Sequence, residues 1–81
     1  MIDFLIVKSA VDSSDPCLFL KYGAPSDEYD DESEMIAESV SAEDTAEEIL
    51  EVVSKVFSEF HLNIREEVFR KIAADIQRDL S

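Results

Sequence analysis

Basic residues are missing from the middle of this chain. Between Tyr22 and Ser54 there is no Lys, Arg or His, while the same stretch holds twelve Asp and Glu residues. Glycine is nearly missing too, with one in 81 residues, beside two prolines, one cysteine and no tryptophan. Each shortage excludes something. A single cysteine, Cys17, excludes an intrachain disulfide. Scarce Gly and Pro leave few places for tight turns, which favours a few helices over many short strands. No run approaches the roughly 20 apolar residues that span a bilayer. Met1 to Val11 is apolar, but Asp3 and Lys8 interrupt it, and it lacks the basic leader and small-residue cleavage site of a secretory signal. A soluble, cytoplasmic protein is expected.

What is present points to one folded domain. At this length a chain buries roughly 60% of the surface its unfolded form exposes, so the core must be small. Apolar residues make up 46% of the chain, too many for a disordered polyanion. The formal charge of −13 comes from 20 acids against 7 bases, and outside the central block the two signs nearly cancel. Such a block repels nucleic acid and anionic membranes and attracts cationic surfaces.

Hydrophobic spacing predicts the elements. From about Ala42 to Phe60, the residues Ala46, Ile49, Leu50, Val53, Val56, Phe57 and Phe60 recur at helical intervals. Ser41 is the expected N-cap there, with Asp44 three residues on. A second helix is expected from Ile64 to Leu80, capped by Asn63, with Glu66 at its third position. Its core face is Val68, Phe69, Ile72, Ala73, Ile76 and Leu80. Glu66 with Arg70 and Glu67 with Lys71 are i,i+4 pairs, so this helix neutralises itself. A shorter helix from about Tyr29 to Val40 carries Ile36 and Val40 in register, with Ser26 or Asp27 as cap. Ile2 to Val11 reads as helix or strand by periodicity alone. No second strand-like run exists to pair with it, so helix is the better reading. Asp15-Pro16 suits a cap and first position of a short helical turn that Gly23 would stop, with Leu18, Phe19 and Leu20 in the core. The expected fold is all-α, a small bundle of three to four antiparallel helices with short connections.

Asp15-Pro16 is followed, after six residues, by Gly23-Ala24-Pro25-Ser26-Asp27-Glu28-Tyr29-Asp30-Asp31-Glu32. This pattern resembles the signature of the YugE-like family, small bacterial proteins of unknown function. The resemblance runs on through Glu34 to Val40 and the long helix ending at Phe60-His61-Leu62. Ser14 stands where family members typically carry Trp, and Leu18 where they often carry Gly. The resemblance implies a helical fold and supplies no substrate and no catalytic residue.

Chemistry is poorly provided for. The one conventional nucleophile pair, Cys17 and His61, lies in separate elements, and Cys17 sits in an apolar run that would raise its pKa. Asp12-Ser13 is followed by Ser14, not the Leu that a phosphopantetheine attachment site would need. The Asp27–Glu34 string offers oxygen ligands for Ca²⁺ or Mg²⁺, but read as an EF-hand loop only its two ends fit. No enzyme activity and no cofactor is expected. Tyr29 is the residue of that string least explained by solubility, and its ring is expected under the Gly23-Ala24-Pro25 turn with the hydroxyl on a backbone partner.

On the long helix, Glu43, Glu47 and Glu51 repeat at i+4, as do Asp44 and Glu48. That is a like-charge arrangement which opposes helix formation slightly. The expected role is therefore binding a basic protein through Asp27, Glu28, Tyr29, Asp30, Asp31 and Glu32 together with Glu43, Glu47 and Glu51. In size and charge, though in no motif, this resembles immunity proteins that neutralise basic nucleases. Divalent-cation binding by the Asp27–Glu34 string is the alternative. A homodimer through helix packing is also open.

Overall fold

A computed structural model of the chain describes residues 1–60 and 64–80. It contains four helices, α1 (Phe4–Ser14), α2 (Asp30–Ser39), α3 (Ala46–Glu59) and α4 (Glu66–Leu80). No strand occurs among the described residues. Residues 61–63 and 81 lie outside the described residues, and with them the Asn63 cap and any role for His61.

The ambiguous N-terminal run is helical. Asp3 caps α1, its carboxylate accepting from the Leu5 N–H at 2.9 Å. Val7, Ala10 and Val11 fall on one side and are buried, as i, i+3, i+4 spacing requires. Ahead of α1 the chain is extended, and the Ile2 N–H donates to the Ala37 carbonyl at 2.9 Å. That contact puts the start of α1 at the end of α2. Lys8 meanwhile reaches Asp30 at the start of α2 at 2.7 Å, so the two helices run antiparallel.

α3 begins later than its apolar spacing suggested. Thr45, not Ser41, is the N-cap. Its hydroxyl accepts from the Glu48 N–H at 3.2 Å while the Glu48 carboxylate accepts from the Thr45 N–H at 3.0 Å, a complete capping box. Ser41 and Asp44 form a separate local turn, with the Ser41 N–H donating to Asp44 at 3.0 Å. Ile49, Leu50, Val53, Val56 and Phe57 fill the core, whereas Phe60 stands at the surface. α4 buries Phe69, Ile72, Ala73 and Ile76, and Phe69 stacks on Phe57 with ring centroids 5.8 Å apart.

The helices close a ring. α1 packs on α2 and α4, and α3 packs on the same two neighbours. Among the described residues no contact joins α1 to α3 or α2 to α4. One core, running from Ile2 through Tyr29 to Ile76, therefore serves all four helices. At about 25 cal/mol per Å² of apolar surface removed from water, this shared burial is the main stabilising term for so small a chain.

The 15–23 segment departs most from expectation. Asp15 does not start a helical turn; it ends α1 in the left-handed conformation (φ 44°). No helix follows, and Leu18 also adopts a positive φ of 59°. Leu18 and Phe19 are exposed rather than core, and Leu20 is half-buried. Gly23, at φ 96°, occupies the left-handed position expected of it.

Candidate functional site

Tyr29 is wholly buried at the start of α2 and organises the corner that presents the acidic string. Its hydroxyl donates to Asp15 Oδ1 at 2.8 Å and accepts from the Cys17 N–H at 2.9 Å, and its ring stacks on Phe19 at 5.9 Å. Asp15 accepts twice more, from the N–H groups of Leu20 (3.1 Å) and Lys21 (2.9 Å). One carboxylate and one phenol thus fix a loop that has no regular structure. Two non-glycine residues of this segment, Asp15 and Leu18, have positive φ, and the Asp15 side chain is fixed by these bonds.

The electrostatics follow from this geometry. Burial alone would raise the Asp15 carboxyl, but the Tyr29 hydroxyl, two backbone N–H groups and the Lys21 charge together hold it below its ordinary value. The same burial and the Asp15 bond push the Tyr29 phenol up, so it stays protonated as a donor. The Cys17 thiol is raised by burial and by the nearby charges of Glu32 and Asp15, which leaves it a poor nucleophile.

The twelve acids of the central block have distinct fates. Asp30 is bound by Lys8, which also pairs with Asp12 at 3.1 Å and donates to the Ser26 carbonyl at 2.7 Å. Glu47 is met by Arg70 of α4 at 3.1 Å. Asp44 and Glu48 are occupied in capping. Glu32 is only 7% exposed with no cation beside it. Burial, then the charges of Asp31, Glu28 and Asp30, raises its carboxyl above the ordinary value. Asp27, Glu28, Asp31, Glu34, Glu38, Glu43 and Glu51 are exposed, and among the described residues none has an ion-pair partner.

The residues of the expected binding surface are therefore not all exposed. Tyr29 and Glu32 are withdrawn into the interior, so neither offers an exposed side chain. Glu43 precedes α3 and leaves its helical row, which keeps only Glu47 and Glu51. The Asp27–Asp31 set and the Glu47–Glu51 pair have different tethers within the fold. The first is tied to α1 through Asp30, the second to α4 through Glu47. Glu34, expected only as part of the cation-binding alternative, and Glu38, which sequence reading passed over, belong with the first set. Asp31, Glu34 and Glu38, with Met35 among them, are the exposed stripe of α2 at i, i+3 and i+7. The signal was in that spacing.

Among the described residues no three His, Cys, Asp or Glu side chains gather in a metal-holding arrangement. No described helix is long and apolar enough to cross a membrane. Comparison with family models, with curated proteins and with solved structures finds no match.

Proposed function

We propose that this chain is a non-enzymatic interaction module that binds a basic protein surface through the exposed acids at the start and along the solvent face of α2. One observation carries the reading: among the described residues Asp27, Glu28, Asp31, Glu34 and Glu38 stand exposed without an ion-pair partner, whereas the acids of α4 meet Arg65, Arg70, Lys71 and Arg78. Uncompensated like charge on one helix stripe opposes folding slightly and contributes no contact within the chain. It does raise the association rate with a cationic partner. The Asp15 and Tyr29 positions of the YugE-like signature meet in one hydrogen-bonded corner. That supports membership of that group of small bacterial, cytoplasmic proteins, with these two positions serving the fold rather than chemistry.

The experiment is affinity capture from the source cell at low ionic strength. A basic protein should be retained and should elute steeply with added salt. Replacing Asp27, Glu28 and Asp31 together by Asn, Gln and Asn should slow association about ten-fold at unchanged melting temperature. Retention of no basic partner at low salt would contradict the proposal. Cation binding by the Asp27–Glu34 string is the weaker reading, because Tyr29 and Glu32 are buried and Asp30 is engaged by Lys8. A melting temperature that rises with millimolar Ca²⁺ or Mg²⁺ would restore it.

A further inference from the structure

At the end of α2 farthest from Tyr29, the antiparallel packing of α1 and α2 leaves a shallow groove of about 270 Å³. Ile2, Phe4 and Ala37 give it apolar lining, Met1 adds a thioether side chain, and Glu34 and Glu38 stand over it from α2. The Ile2 N–H bond to the Ala37 carbonyl pins the extended chain against the last turn of α2, and so builds one wall from backbone. Met1 is 88% exposed, and Leu5, next along from Phe4, is 67% exposed. Met1 lines the groove yet stays almost wholly exposed, and apolar surface rimmed by charge is the usual mark of a binding site. Methionine suits such a site because its flexible side chain adapts to what covers it.

We infer that this groove takes an apolar side chain flanked by Lys or Arg on a segment of another protein, and so forms the anchor point of the basic partner. The inference rests on the reading above and adds the place and chemistry of contact. Charge complementarity selects the occupant. Both titratable side chains at the groove are glutamates, one helical turn apart, and neither has an ion-pair partner among the described residues. A cationic side chain laid along the apolar lining would reach them with its head while its methylene stem stays covered. A second copy of this chain fits badly. Two-fold pairing through this groove would bring Glu34 and Glu38 of both copies into one interface, between partners that each carry −13. Size argues against a cofactor, since ligand pockets run to about 300–1,000 Å³ and enclose what they bind.

The test is an amide-shift titration of the untagged, isotope-labelled chain with a short amphipathic peptide carrying one Leu between Lys residues. The comparison peptides have that Leu replaced by Ser, or the Lys residues replaced by Glu. The Leu/Lys peptide should move the amides of Ile2, Phe4, Ala37 and Glu38, and bind about ten-fold tighter than its Ser counterpart. Glu34→Gln with Glu38→Gln should weaken it by a similar factor at unchanged melting temperature. Equal binding of the Ser peptide, with shifts confined to Asp27–Asp31 or Glu43–Glu51, would overturn the groove and leave the basic-partner reading standing. Failure of every cationic peptide to bind at low salt would overturn both. Shifts at Ile2, Phe4 and Ala37 that grow with protein concentration alone would overturn the groove in favour of a second copy.

Discussion

α2 and α4 are both rich in acids, and they treat them in opposite ways. α4 pairs Glu66 with Arg70, and Asp75 with both Lys71 and Arg78, while Asp79 lies beside Arg78. Its charges are settled on its own surface, and Arg70 has enough reach to take Glu47 of α3 as well. α2 holds five acids and no cation, and among the described residues only Asp30 of these has an ion-pair partner, a lysine from another helix. The anchoring differs to match. α4 is held chiefly by its apolar face, with Phe69 on Phe57, and at its surface by the Arg70–Glu47 pair. α2 is held by its apolar face and also by a polar lock just before its first residue, where Tyr29, Asp15 and the Cys17 backbone meet. A helix whose surface repels itself needs firmer fixing at its end, and the lock provides it.

The comparison can be broken most severely at Tyr29. Tyr29→Ala should cost about 3–5 kcal/mol in urea unfolding, from the cavity and the orphaned Asp15 and Cys17 groups. Tyr29→Phe, which removes only the hydroxyl, should cost about 1–3 kcal/mol. A loss under half of the lower figure in both would mean that the corner does not hold α2. Asp15→Asn comes next, at about 1–3 kcal/mol near neutral pH, since Asn tolerates the left-handed backbone but loses the charge. The Asp15 carboxyl is depressed in the fold, so its contribution is present above about pH 3.9 and fades as pH falls through the depressed value. Wild type and variant should converge in acid.

Glu32 should behave with the opposite sign. Its carboxyl is raised in the fold, so ionisation opposes folding. Stability is lost as pH rises from the ordinary glutamate value, about 4.3, through the raised one, and the loss is complete above it. Glu32→Gln should therefore stabilise at pH 7 by up to about 1 kcal/mol, or some 4–8 °C for a domain this small. The gain should vanish near pH 4, and thermal melts at both values would check it. The smallest effect belongs to α4. Arg78→Gln breaks two exposed pairs and should cost at most about 1 kcal/mol, as double-mutant measurements of such pairs usually find. A larger loss there than at Asp15 would reverse the contrast.

Much of this architecture could be read from spacing. The core faces of α3 and α4 followed from i, i+3, i+4 recurrence, and α1 followed from the lack of any strand to pair with Ile2 to Val11. Two features were present in the chain but disguised. Thr45-Ala46-Glu47-Glu48 is a better capping box than Ser41 with Asp44, because Glu reaches back to the cap N–H more readily than Asp. Tyr29, Glu32, Ser33, Ile36, Ala37 and Val40 form one buried stripe, and the charge of Glu32 hid it among its acidic neighbours. Other features had no local signal. The exposure of Leu18 and Phe19 depends on where the Asp15 carboxylate finds Leu20, Lys21 and Tyr29, which is a tertiary matter. The α1–α2 groove depends on Ile2 meeting Ala37, residues 35 positions apart in the chain. The Glu67–Lys71 pair, expected from i,i+4 spacing, gives way to Arg65–Glu67 at 3.4 Å and Lys71–Asp75 at 3.1 Å.

The most direct measurement is the local potential itself, read residue by residue from the relaxation of amide protons by a cationic and then an anionic soluble paramagnetic probe. The ratio of the two effects should be highest around Asp27, Glu28, Asp31, Glu34 and Glu38 and lowest along Arg70, Lys71 and Arg78. A ratio that is level across α2 and α4 would contradict the account.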